Sequence, residues 1–206
     1  MGAFKSILGR VIGVDNNTGQ LIRGGVSNNG AKNGATVTVK EYGDEFSHRT
    51  VLTCTATPIT ITDDAGVAQY GGVKVYDFPE GLIVTKAALV TGTLTAGVSG
   101  TIINNWDGDV ALGTITATTG ATLVSTEADV MISNAVSAGG SDKLGVVSAV
   151  SSATQVTESA AAVLDGTATA KDLFLNFVID DSGTHDSGTA TFTGTITVLW
   201  DYVGDL

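Results

Sequence analysis

Three carboxylates, two hydroxyls and a histidine fall within one short run, Asp180-Asp181-Ser182-Gly183-Thr184-His185-Asp186, the densest polar cluster in the chain. Oxygen donors at that density suit Ca²⁺, but the run lacks the glutamate that closes an EF-hand loop. Asp, Ser and Gly are also the residues that solvated hairpin loops demand, and the loop reading is preferred here. Asp107 and Asp109 flank Gly108 beside Trp106 and read the same way, as a tight turn whose oxygens could at most hold a cation weakly. His48 and His185 are the only histidines. With Cys54 they would supply three zinc donors, yet no metal spacing links them and a lone Cys in HRTVLTCTA suits a strand core. No metal and no cofactor is expected.

Catalytic patterns are equally thin. The chain has no G-x-S-x-G elbow, no Cys-His pair at a family spacing, and neither the G-x-G-x-x-G nor the Walker A glycine pattern. Paired carboxylates for glycoside hydrolysis could be drawn from Glu80, Glu127, Glu158 or any Asp converging in space. With only 6% aromatic residues, however, little is available to stack on sugars. The chain is therefore not expected to be an enzyme.

The elements that would position these residues are strands. From Thr189 to Tyr202 the sequence TATFTGTITVLWDY places Thr189, Thr191, Thr193, Thr195 and Thr197 on one parity and Ala190, Phe192, Ile196, Val198, Trp200 and Tyr202 on the other. A period of two makes one wet face and one dry face, so Phe192, Ile196, Val198 and Trp200 must lie against a second apolar layer. Leu173–Ile179 (LFLNFVI) is apolar on both parities apart from Asn176, as a central strand covered on both faces would be. These two segments are expected to pair as a long hairpin through DDSGTHDSG. Further strands are read at TVTVKEY, HRTVLTCTA, PITIT, VKVYDF, 82–95 with a bend at Gly92, 110–118 and 121–125, with turns at Gly43-Asp44 and Thr57-Pro58. Between about 126 and 170 Ala and Ser blur the period. There QVTESAAAVL, followed by Gly166, offers a short helix near 155–164, although Val156, Thr157 and Val163 suit a strand as well.

These readings sum to an all-β chain of nine or ten strands, an antiparallel β-sandwich of jelly-roll-like type. A sandwich domain is expected over 35–206, preceded by an extended, flexible N-terminal arm over 1–34, rich in Gly and Asn. The single cysteine excludes an intramolecular disulfide, and no stretch approaches the apolar length of a membrane span, so no membrane partner is expected. Charge is split along the chain. The net charge is −11, but residues 1–40 carry Lys5, Arg10, Arg23, Lys32 and Lys40 against Asp15, which is 5 − 1 = +4 and leaves −15 for the rest. So acidic a body argues against nucleic acid as a partner.

Four stretches, VYDFPEG (75–81), WDGDVALGT (106–114), LDGTATAKDLFLNFVIDD (164–181) and GTITVLWDYVGDL (194–206), resemble in order and texture segments of head decoration (capsid cement) proteins of marine tailed bacteriophages. The resemblance covers about residues 70–206. It implies a β-sandwich virion protein, homotrimeric in many cases, that binds the major capsid protein on the capsid exterior after synthesis in the host cytoplasm. No catalytic residue is carried over by it. On this reading the arm is the anchor, with Lys5, Arg10, Arg23 and Lys32 as capsid contacts. The alternatives are a phage tail or fibre component or a surface adhesin module, and a polysaccharide-acting enzyme.

Overall fold

Thr, Val and Ile alternate over so much of this chain that extended backbone is its cheapest conformation, because branched side chains stand clear of one another on a pleat. The computed structural model describes residues 13–14, 21–22, 35–43, 46–64, 68–96, 107–137, 144–150, 163–180 and 187–204, and all their ladders are antiparallel. The strands are β1 (Gly13–Val14), β2 (Leu21–Ile22), β3 (Val37–Gly43), β4 (Ser47–Asp64), β5 (Ala68–Asp77), β6 (Gly81–Ala96), β7 (Asp107–Gly113), β8 (Met131–Ser137), β9 (Leu144–Val150), β10 (Val163–Gly166), β11 (Asp172–Asp180) and β12 (Gly188–Gly204). The all-β, antiparallel fold class holds.

One sheet contains them all. It runs β1-β2-β3-β4-β5-β11-β7-β8, and β12 lies between β4 and β6, with β9 and β10 on the far edge of β6. The sheet curls at the β4–β5 corner, where Ile61–Asp64 pair with Ala68–Gly71, so the β4–β12–β6 part faces the β5–β11–β7 part across a single core. Phe192, Ile196 and Val198 are fully buried there and Trp200 is 1% exposed, as the alternation required.

The expected hairpin between Leu173–Ile179 and Thr189–Tyr202 does not form. Both edges of β12 are taken, by β4 over 47–61 and by β6 over 82–96, and both edges of β11 by β5 and β7. The two strands meet through their faces, with Phe177 and Phe192 ring centroids 6.1 Å apart. Sequence neighbours that are each central strands can sit in facing layers, because layers lie only about 10 Å apart and the residues between them span that easily.

Other boundaries shift for local reasons. HRTVLTCTA and PITIT are one strand, β4: Thr57-Pro58 makes no turn, and the irregularity is absorbed by a bulge at Ala56, whose φ is +47° and whose N–H donates to Thr193 Oγ1 at 3.0 Å. Gly92 does not break β6. It pairs with Gly194, and the Phe192 ring covers both, since a Cβ on either glycine would come within 2.9 Å of that ring. Residues 114–118 and 121–125, expected as strand, instead belong to a crossing over the outer face of β11 that enters a 3-10 turn at Ser125–Glu127. Asn176 holds them there. Its Oδ1 accepts from Ala117 N–H at 2.9 Å and its Nδ2 donates to the Ile115 and Glu127 carbonyls at 2.8 Å each. That crossing is the second cover that leaves β11 apolar on both parities, and with Ala68, Ala111, Ala117, Leu123, Ala128 and Val178 it builds a small second core. The described residues form twelve strands rather than nine or ten, because β1 and β2 extend the sheet within the arm, where Ile22 pairs with Tyr42, and β8, β9 and β10 occupy the Ala/Ser-rich middle. Of the helix read near 155–164, residues 163 and 164 are strand and the rest lies outside the described residues, as does most of 1–34.

Candidate functional site: the outward face of the β3–β4–β12–β6 layer

The parity that buries Phe192 and Trp200 turns the other side of β12 outward. Cross-strand register then aligns threonines in rows: Thr38, Thr53, Thr195 and Thr91 are successive partners over four strands, followed by Thr193 with Thr93 and Thr191 with Thr95. Towards the C-terminal end of β12 the character changes. The next rows read Lys40, Val51, Thr197, Leu89 and then Tyr42, Arg49, Leu199, Ala87, with Asp201 opposite Ser47 and Val84 beyond.

This end of the face is apolar and cationic together. Of the eight large hydrophobic side chains exposed among the described residues, Leu89, Leu199, Val203 and Val163 lie on it and Phe46, 66% exposed, stands at its rim. Lys40, Arg49 and Lys86 are exposed on the same side. The Arg49 guanidinium lies 4.4 Å from the centre of the Tyr42 ring, a cation–π contact. Lys86 Nζ meets Asp201 at 2.6 Å, and Asp201 also accepts from Ser47 Oγ at 2.7 Å. Between them opens a groove of about 400 Å³ lined by Tyr42, Ser47, Arg49, Lys86, Leu199 and Asp201. Clustered apolar, aromatic and Arg side chains of this kind are those that interface cores favour.

The residues singled out for chemistry are dispersed. His48 is buried and stacks on its cross-strand partner Trp200, ring centroids 3.9 Å apart and planes 7° from parallel. Cys54 points into the core from the same strand six residues on, about 20 Å away at strand rise, so the two share no metal. Burial pushes the Cys54 thiol up to about 11, against a smaller opposing effect of Thr57. Glu127 is buried and accepts at 2.8 Å from both the N–H and the hydroxyl of Thr118, Asp129 likewise receives the N–H and hydroxyl of Thr114 at 2.8 and 2.6 Å, and Asp64 receives Gly120 N–H at 2.8 Å. These three carboxylates fasten the 114–130 crossing. Burial raises the Asp129 carboxyl above its ordinary range, opposed by the Thr114 hydrogen bonds and, more weakly, by Lys171. Glu80 is exposed in the β5–β6 turn. Asp107 and Asp180 are cross-strand partners, and Asp109 is half-buried in β7. Trp106, Glu158, residues 181–186 with His185, and the arm cations Lys5, Arg10, Arg23 and Lys32 lie outside the described residues. Among the described residues no three His, Cys, Asp or Glu side chains group so as to hold a metal ion.

This apolar, cationic patch escaped sequence reading, which weighed the threonines of this parity but not its charges. The signal was there: Lys40, Arg49 and Lys86 occupy outward positions of strands whose inward positions are apolar.

No family model matches the chain, and no curated protein matches it. Among solved structures it is similar to one described as "Crystal structure of infectious bursal disease virus VP2 subviral particle", at 12% identity and a TM-score of 0.37, over 92% of this chain and 41% of that one. The chain thus spans well under half the length of that viral protein, and a superposition of this quality transfers no role.

Proposed function

We propose that this chain is a structural virion protein that binds the outside of a phage capsid and decorates or stabilises it. The observation that carries the reading is the outward patch around Arg49, Leu199 and Lys86: an apolar, cationic docking surface on an otherwise acidic β body. The resemblance of residues 70–206 to head decoration proteins supplies the partner, the major capsid protein, and the site of action, the capsid exterior. Catalysis has no part in this reading.

The basic arm completes it. Lys5, Arg10, Arg23 and Lys32 are proposed as contacts to an acidic capsid surface, and such contacts weaken as salt rises because exposed pairs are screened over about 8–10 Å. The test is co-sedimentation of the purified protein with undecorated shells of the major capsid protein from the same genome. Binding that is saturable, and weakened on deleting residues 2–34, is expected. No binding by the intact chain would remove the proposal.

A further inference from the structure

We infer that residues 114–130 form a flap that swings off the outer face of β11 as one body while the main core stays folded. The segment closes on itself. Thr114 and Ile115 N–H both donate to the Thr126 carbonyl, at 2.8 and 3.1 Å, and Ala128 N–H donates to the Ser125 carbonyl at 3.0 Å. Side chains tighten the same closure, since Asp129 takes the N–H and hydroxyl of Thr114 and Glu127 those of Thr118. Val130 N–H, bonded to the Leu112 carbonyl at 3.0 Å, returns the chain to where it left β7. Gly113 at that root admits the approach, because a Cβ there would collide with the Thr126 and Glu127 carbonyl oxygens. Ends that meet around a loop bonded by its own groups are the marks of an Ω-loop.

A separate set of contacts seats this loop on the sheet. Asn176 accepts from Ala117 N–H and donates to the Ile115 and Glu127 carbonyls, and Asp64 accepts from Gly120 N–H. Gly72 on β5 leaves room for the Asn176 amide and for Thr116, both of which a Cβ would meet. Beneath lies the small second core, which shares no residue with the main one. The flap contributes Ala117, Leu123 and Ala128 to it, so Leu123 is the largest side chain it buries there. Such burial holds far less than the Leu, Ile, Val and Phe side chains of the main core do. No charged residue occurs from 110 to 126, so no ion pair from that stretch fastens the loop. Lifting the flap therefore breaks its seat and spares both its own closure and the main core, the division that permits local opening below the global free energy. The open form presents Asn176, fully buried in the closed one, with its amide directed at main-chain groups. A polar strip of the sheet is thus concealed or presented without unfolding.

Hydrogen exchange followed amide by amide by NMR on the full-length protein, at several urea concentrations below the unfolding transition, tests this. Ala117 and Gly120 N–H groups face the seat and should exchange through one shared opening, almost without urea dependence. Thr118 N–H is bonded inside the flap and should exchange at least about tenfold more slowly. The β12 amides should exchange by urea-dependent global unfolding. Asp64→Ala deletes the acceptor of Gly120 alone, yet it should speed exchange at Ala117 as well, by about tenfold, because one body carries both. A circular dichroism melt checks that the variant is folded, and the urea series on the native chain decides without it. Ala117 and Gly120 following the urea dependence of β12 would mean that the segment opens only with the whole molecule, and acceleration of Gly120 alone that its bonds break one by one. Either result overturns the inference, as does Thr118 exchanging as fast as Ala117.

Discussion

Trp200 is held from three sides: His48 stacks on one face, Phe78 meets it edge-on at 5.5 Å, and its Nε1–H donates to Thr50 Oγ1 at 2.9 Å. Trp200→Ala should cost about 3–5 kcal/mol in a urea melt, since cavity and hydrogen bond are lost together. Asn176 is the polar counterpart. Asn176→Leu leaves the Ala117 N–H and the Ile115 and Glu127 carbonyls without their partner, and a loss of about 2–5 kcal/mol is expected. Asp129 works in the other direction. Its folded pKa is raised, so the folded state takes up the proton more readily than the unfolded state, and the stability that Asp129 withholds at neutral pH returns as pH falls through the folded value towards the ordinary carboxylate range. Asp129→Asn keeps an acceptor for Thr114 N–H and should melt at or above the native protein at pH 7, with the gap closing on acidification. A variant less stable at every pH would show that the charge itself is needed. Cys54, buried and with its thiol pushed up to about 11, should resist alkylation at pH 8 until the protein unfolds.

At the scale of the element, β12 is the strand on which the fold turns, because it is central over its full length and has β4 on one edge and β6 on the other. Its amides should be among the slowest to exchange, and those of β8, at the end of the sheet path, among the fastest; equal rates would contradict the topology. The Gly92–Gly194 pair is where β6 and β12 admit a ring in place of side chains. Gly92→Ala puts a Cβ 2.5 Å from the Thr193 carbonyl oxygen and 2.8 Å from Phe192, both inside contact distance, so at least about 1–3 kcal/mol should be lost. The 114–130 crossing is a different kind of element. It has little regular structure, and side chains from β4 and β11 hold it together with its own Glu127 and Asp129.

On the scale of the whole molecule, the proposed function rests on surface rather than on a centre. The outward face passes from threonine rows to a cationic, apolar patch, and β2 joins the sheet at this end, since Ile22 pairs with Tyr42 beside Arg49. Capsid binding should therefore fall in two steps when examined by co-sedimentation: partly with residues 2–34 removed, and further when Lys40→Glu is added. Unchanged binding in the doubly altered chain would mean that neither the arm nor this face is the anchor.

Alternation alone determined that the chain is β throughout, that Phe192, Ile196, Val198 and Trp200 face a core, and that Leu173–Ile179 is covered on both sides, because a period of two is a local property of a pleated strand. Pairing is not local. Which strand lies beside β12 depends on register and on layer, and the same alternation is satisfied whether β11 stands next to β12 or opposite it; only tertiary packing decided for opposite. The crossing at 114–125 departs from strand for a related reason, as its Thr and Val residues suit a strand until Asn176 claims the Ala117 N–H and the Ile115 carbonyl. The docking patch, likewise, is assembled from residues of β3, β4, β6 and β12, scattered from Lys40 to Val203 in sequence, and no window along the chain contains it.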